Sequence, residues 1–189
     1  MRLSILIPTL YKRSDQLISL KASLYGQIIH NKLDDQVEII CMGDNGEKPT
    51  GWKRNRLLEK AKGDYIVFVD DDDSVQNNYV KMIYEALLTS PDVVGIVLKH
   101  YQNDILIGTS YHTIIYKRWK NRRDPDNRDQ RIFERCPNHL NPVRRDLALQ
   151  VRFPEIYIGE DKDYSLRLRD LLTEEVMIRE PLYNYMERI

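Results

Sequence analysis

The chain alternates short continuous apolar runs with stretches in which apolar residues recur at helical spacing. Leu3-Ser4-Ile5-Leu6-Ile7 reads as a strand that ends at Pro8, a residue unable to donate to a central ladder. Leu17, Leu20, Leu24 and Ile28 then recur at the spacing of one helix face. Val37 to Met42 is a second strand, closed by the turn Gly43-Asp44-Asn45-Gly46. Strand, helix, strand in this order predicts a right-handed parallel crossover, which puts Thr9 and Asp44 on one edge of the sheet. Lys53 to Lys62 reads as a helix with Leu57, Leu58 and Ala61 inward, and Tyr65 to Val69 as a fully buried strand. A helix over Asn77 to Thr89, a strand over Val93 to Leu98 and antiparallel strands within Ile105 to Tyr116 follow. Asn141 to Leu149 reads as a short helix, Phe153-Pro154-Glu155 as a turn, and Gly159 opens a helix with Tyr164, Leu168, Leu171 and Leu172 inward. The pattern predicts one α/β domain over residues 1–189, a mostly parallel central sheet flanked by helices.

Lys117 to Arg135 breaks the rhythm. It holds eight Lys or Arg against four Asp or Glu, and reads as a mobile surface loop.

Composition narrows the class. With 42% apolar and 31% charged residues in 189, the chain can bury a real core and is not disordered. No apolar run approaches the ~20 residues of a membrane span, and Pro8 and Thr9 interrupt the apolar N-terminal stretch that a signal peptide would need. The expected location is cytoplasmic, at most peripheral. Cys41 and Cys136 form no CxxC pair and read as reduced and structural. A formal charge of zero gives no electrostatic reason to seek nucleic acid, so any anion site must be local.

Chemistry concentrates where the third strand ends in Asp70-Asp71-Asp72-Asp73. In open α/β sheets, ligands bind beyond the carboxyl ends of strands, and adjacent carboxylates repel unless a cation neutralises them. Hard oxygen donors suit Mg²⁺, Mn²⁺ or Ca²⁺. The bland alternative is an acidic loop before a helix, where carboxylates complement the dipole. An EF-hand is excluded by spacing, since Val75 and Lys81 stand where Gly and Glu are needed if Asp70 comes first. Lys53, Arg54 and Asn55 open a helix; basic side chains there oppose the dipole unless an anion is shared, which points to phosphate. A P-loop between Gly46 and Gly51 fails because Trp52 occupies the lysine position. His139, in a loop, is a candidate extra metal or phosphate contact, with an incidental role as the bland reading. Trp52 and the Tyr-rich middle could stack on a sugar or base, with core packing as the alternative.

From residue 1 to about residue 170 the chain resembles a family 2 glycosyltransferase of the GT-A fold, with its Rossmann-like sheet. The resemblance rests on Ile5-Leu6-Ile7-Pro8-Thr9, Gln27, Lys53-Arg54-Asn55, Ala61-Lys62-Gly63-Asp64-Tyr65-Ile66, the acidic run, and Gly159-Glu160-Asp161 with Arg167. It implies that Pro8, Thr9, Asp44, Arg54, Asn55, Asp70 and Asp71 meet the nucleotide and donor. Gly43 departs from the family's acid pair after strand two, of which Asp44 is the second member. It also implies that Asp72, helped by Asp70, holds a divalent metal, Mn²⁺ or Mg²⁺, that Asp161 is the general base, and that Glu160 orients the acceptor.

The implied reaction is inverting transfer of a sugar from a nucleotide-sugar, expected to be a UDP-sugar, to the hydroxyl of a glycan or other acceptor. A diphosphate leaving group builds charge that a cation and Arg54 can stabilise, and the acceptor hydroxyl needs a carboxylate to take its proton. The rival readings are a sugar-1-phosphate nucleotidyltransferase and a non-catalytic nucleotide-sugar or metal-binding module. The first expects a Gly-rich loop that Thr9-Leu10-Tyr11-Lys12 lacks, and the second has no use for Asp161.

Overall fold

The computed structural model describes residues 1–187. Strand β1 (Leu3–Leu10) runs parallel between β2 (Val37–Asp44) and β3 (Tyr65–Phe68), with helices α1 (Ser14–His30) and α2 (Thr50–Lys60) in the connections. Next come β4 (Ser74–Val75), α3 (Tyr79–Leu87), β5 (Val93–Gln102), β6 (Ile105–His112), β7 (Lys120–Arg123), β8 (Arg131–Arg135), β9 (Val143–Arg144), α4 (Arg145–Val151), α5 (Glu160–Leu168) and β10 (Glu175–Glu187). The sheet order is β2-β1-β3-β9-β5-β6-β8-β7, and β10 pairs parallel with β5 and antiparallel with β4. The predicted mixed α/β architecture, a mostly parallel sheet between helices, is what forms.

The period of two along the strands sorts side chains onto two faces. Ile5, Ile7, Val67 and Val69 pack with Leu20, Leu24 and Ile28 of α1 and Val80, Ile83 and Leu87 of α3. Leu6, Ile66 and Phe68 point the other way, to Leu57 and Leu58 of α2, Ala148 of α4, and Tyr164 and Leu168 of α5. Every one of these side chains is buried.

The structure corrects several boundaries. Strand β1 does not stop at Pro8 but pairs with β2 as far as Leu10. The Leu6 carbonyl accepts from Val69 N at 3.0 Å, so residues 6 and 8 turn their backbone groups towards β3, and β3 has ended by Phe68. The missing N–H of Pro8 therefore faces no strand. The segment 117–135 is not a loop throughout: β7 and β8 form an antiparallel pair, and β8 lies parallel to β6. Buried Ile132 and Phe133 supply the core contact that the surrounding arginines hid. The helix read over 141–149 begins only at Arg145, because Val143 and Arg144 are taken as a short strand between β3 and β5. Leu171, read as inward, is 37% exposed, while Leu172 is buried. The thirteen-residue β10 has no counterpart in the sequence pattern; Arg179, Glu180 and Pro181 interrupt its alternation and coincide with its register shifts.

Gly51 sets how closely α2 packs on the segment leading to α5. A Cβ there would stand 1.9 Å from the Pro154 carbonyl oxygen, so only glycine permits this approach.

Candidate active site

Strand β3 ends opposite Leu6 of β1, and Asp73 N donates to the Asp70 carbonyl at 3.2 Å, curling the acidic run into a tight turn beyond the end of β3. Its four carboxylates then part. Asp70 Oδ1 accepts from Arg54 at 2.9 Å and its Oδ2 lies 3.2 Å from His139 Nε2. Asp71 accepts from the Thr9 hydroxyl at 2.6 Å and from Arg13 at 2.8 Å. Asp72 pairs with the same Arg13 nitrogen at 2.9 Å. Asp73 turns inward and accepts from the Tyr183 hydroxyl at 2.6 Å and from Met186 N at 2.7 Å.

These partners split the acidities. Burial opposes ionisation of Asp70, yet the Arg54 charge and His139 hold it well below the usual carboxylate range. Burial pushes Asp72 up, and Asp70 and Asp71 add to the shift against Arg13. Asp73 is raised well above the usual range by burial and by the Asp70 carboxylate. Of the two raised acids, Asp73 is buried and engaged by Tyr183 and Met186, whereas Asp72 stays partly exposed at the cavity edge, where a further cation could reach it.

Helix α2 supplies the basic wall. Lys53 Nζ donates to the Thr9 carbonyl at 3.0 Å and to Asp44 at 2.8 Å, and Asp44 also accepts from Gly46 N and Lys48 N at 3.1 and 2.8 Å. Asp44 is thus committed to its own turn. Arg54 is buried beside the rings of Phe68 and Phe153, 5.7 and 5.6 Å from their centroids, and reaches Glu160 at 3.3 Å as well as Asp70. The unfavourable basic start of α2 is offset by carboxylates of the chain itself. Asn55 goes elsewhere: its amide donates to the Phe153 carbonyl and accepts from Phe153 N, both at 2.9 Å, and it does not reach the donor side. Trp52 is not a core residue either, since Lys48 and Arg56 lie over its ring at 5.4 and 5.5 Å.

A cavity of about 430 Å³ opens above these groups, lined by Pro8, Thr9, Arg13, Lys53, Arg54, the acidic run and, from the far end of the chain, Tyr185 and Met186. Tyr157 and Lys48 also line it. A second cavity, of about 120 Å³, holds Asp161, Trp119, Arg135 and His112. Tyr185 lines both, and His139 stands between them, with Nε2 on Asp70 and Nδ1 4.0 Å from Asp161 Oδ2.

Gly159, at φ 87°, turns the chain into α5 so that Glu160 and Asp161 occupy its first turn. Glu160 is 5% exposed and faces Arg54, its carboxyl pushed up by burial against the pull of that guanidinium. Burial keeps it from facing an open acceptor space. Asp161 is half-buried, with one oxygen accepting from Lys162 N at 2.8 Å and the other turned towards His139. The structure thus brings Thr9, Arg54, Asp70, Asp71, Asp72, His139 and Asp161 around two adjoining cavities. Arg13, Tyr185 and Arg135 complete the walls, Tyr183 supports the acidic turn from within the core, and no pattern in the sequence singled them out.

Among the described residues, no three His, Cys, Asp or Glu side chains are arranged to hold a metal ion. Magnesium-type sites commonly use one or two carboxylates and take further oxygens from a substrate's phosphates. With both Asp70 oxygens engaged and Asp72 at the cavity edge, the residues fit a cation shared with a bound phosphate and do not fit a closed protein cage.

The description Glycosyl transferase family 2 matches residues 26–151, two thirds of the chain. The chain belongs to this family. A putative glycosyltransferase, EpsH, of Bacillus subtilis (strain 168) is 24% identical over 163 residues, which cover 82% of the chain and 45% of that protein. Crystal structures of S. aureus TarS 1-349 superpose with a TM-score of 0.68 in complex with UDP, at 17% identity over 98% of the chain and 60% of the other, and 0.67 in complex with UDP-GlcNAc, at 18% identity over 100% and 59%. At such identity the likeness concerns the fold, the GT-A arrangement of a mostly parallel sheet between helices. This family 2 chain spans a little under half of its curated relative and about 60% of each of these structures. No helix among the described residues is long and apolar enough to cross a membrane.

Proposed function

We infer that the chain is an inverting glycosyltransferase that takes a sugar from a nucleotide-sugar, a UDP-sugar by preference, and passes it to an acceptor hydroxyl. One observation carries the reading. Asp161 and the acidic run lie on opposite sides of His139 and Tyr185, so a base faces one cavity while a cationic and acidic rim suited to a diphosphate faces the other. The UDP and UDP-GlcNAc complexes of TarS support a nucleotide in the larger cavity.

Asp72 would hold a divalent cation against the donor diphosphate, and that ion, Mn²⁺ or Mg²⁺, supplies charge neutralisation on the departing group. Arg54, packed beside two rings, keeps Asp70 ionised and adds fixed positive charge at the same rim. Thr9 and Arg13 hold Asp71. On the other side, the acceptor oxygen attacks the anomeric carbon as its proton passes to the Asp161 carboxylate, and the bond to the diphosphate breaks with its electron pair leaving on the phosphate oxygen. A single displacement inverts the anomeric centre, by the same geometric logic as in inverting glycosidases.

The test is Asp161→Asn, which keeps the shape and the helix start but accepts no proton. Turnover should fall roughly 10²- to 10⁴-fold with UDP affinity unchanged. Wild-type turnover in that variant, or retained configuration in the product read by NMR, would remove Asp161 as the base.

A further inference from the structure

The smaller cavity does not end at Asp161. It shares His100 and Arg135 with an open groove of about 500 Å³ that runs over the outer sheet past Arg131 and Phe133. Arg135 sits at the junction, its guanidinium 4.9 Å above the Trp119 ring and 5.4 Å from that of Phe133. One of its nitrogens donates to the carbonyls of Lys120 and Glu134, both at 3.0 Å. Among the described residues neither Arg135 nor Arg131 has a carboxylate within ion-pair distance, whereas neighbouring Arg122 is neutralised by Glu134 at 2.7 Å. The acids facing the groove are Asp161 at one end and Asp129 and Glu187 at the other, and Glu187 is taken up by His100 at 3.5 Å and Gln102 at 3.1 Å.

Partial burial of an arginine without an acid partner carries a desolvation cost. A second group at the same place is also unsatisfied: His139 is 4% exposed, lines this cavity, and its Nδ1 has no hydrogen-bond partner. A planar guanidinium stacked on an indole, with its remaining N–H groups free, is suited to grip a planar or tetrahedral oxyanion.

We propose that the acceptor carries an anionic group, a phosphate or a carboxylate, close to the hydroxyl that receives the sugar, and that Arg135, seconded by Arg131, binds this group and so presents the hydroxyl to Asp161. The inference rests on the glycosyltransferase reading, because it takes Asp161 as the base. It also gives the basic β7–β8 segment a use: its strands place two arginines in a row leading away from the base, a track for an acceptor with repeated negative charge.

The experiment is an NMR titration of the UDP-saturated chain with glycerol 1-phosphate, glucuronic acid, glycerol and glucose, read at the indole N–H of Trp119. At least one anion should bind ten times more tightly than its neutral counterpart. Preference for the phosphate identifies a phosphorylated acceptor, and preference for glucuronic acid an acceptor with acidic sugars; either supports the proposal. Arg135→Gln should reduce the anion's affinity about tenfold and leave UDP binding intact, and Arg122→Gln should change neither. If Arg135→Gln fails to fold, exposed Arg131→Gln replaces it with a smaller expected loss. Equal binding of charged and neutral probes, or an anion affinity indifferent to both Arg135 and Arg131, overturns the inference. Failure of UDP to bind the wild-type chain would instead strike the glycosyltransferase reading, and the two failures are separately visible.

Discussion

Asn55→Ala separates two roles for one side chain. The family resemblance implied a donor contact for Asn55, whereas the structure places its amide, 3% exposed, across both backbone polar groups of Phe153 at 2.9 Å each. Truncation leaves a buried N–H and a buried carbonyl without partners, and each such group costs about 1–3 kcal/mol. The two are adjacent and relax together, so a total of about 3 kcal/mol is the working figure, and in a domain of this size that lowers Tm by roughly 6–12 °C. Phe153 stacks on Tyr164 at 4.0 Å and meets Phe68 edge-on at 5.3 Å, so its release also loosens the packing beside Arg54 and the approach to Glu160 and Asp161. Urea denaturation gives the energy, and titration calorimetry with UDP gives the donor affinity. Stability should fall with UDP affinity within about twofold of wild type. A destabilisation under about 1 kcal/mol accompanied by a tenfold loss of UDP binding would refute the reasoning and return Asn55 to the donor.

Two further outcomes concern buried carboxylates and their partners. Tyr183→Phe removes the hydroxyl that donates to Asp73 at 2.6 Å and accepts from Asp70 N at 3.1 Å, so urea denaturation should show a loss of about 1–3 kcal/mol, and an unchanged midpoint would show that the acidic turn does not depend on β10. Asp92 accepts from Thr173 N, the Thr173 hydroxyl and Glu174 N at 2.9, 2.8 and 3.1 Å and pairs with Arg144 at 3.0 Å; against the effect of burial, these contacts lower its pKa. Because the folded value lies below the unfolded one of about 3.9, its contribution is complete above that pH and is lost as pH falls through the folded value. The stability gap between wild type and Asp92→Asn should therefore be full at pH 6 and shrink below about pH 4, and a gap independent of pH would count against this linkage.

The parallel half of the fold was legible because buried parallel strands and amphipathic helices write strong local patterns. Leu57, Leu58, Tyr65 to Phe68 and Val80 to Leu87 lie where their spacing put them. The C-terminal half was not, since β8 hides two core residues among arginines and β10 gains its place from pairing with β5, a contact across more than eighty residues that no local period records. The site divides along the same line. Acids at strand ends announce themselves as a run, and Gly159-Glu160-Asp161 as a helix start, but which carboxylate meets which cation depends on side-chain direction after folding. The pairing of Arg13 with Asp71 and Asp72, and the diversion of Asn55 to Phe153, could be learned only from the assembled chain.

The clasp between Asp73 and the segment Tyr183 to Met186 joins residues 110 and 113 apart in sequence. Closure of so long a loop is entropically late, and contacts of large sequence separation slow folding. Until β10 docks, the acidic turn has neither the Tyr183 hydroxyl nor the Met186 amide, and the larger cavity lacks the wall that Tyr185 provides. On a ribosome delivering the chain from its N-terminus, the nucleotide-sized pocket is therefore assembled only after residue 186 has emerged. Under the proposed function, nucleotide bound in this cavity would brace β10, protecting the β10 amides from hydrogen exchange more than those of β1.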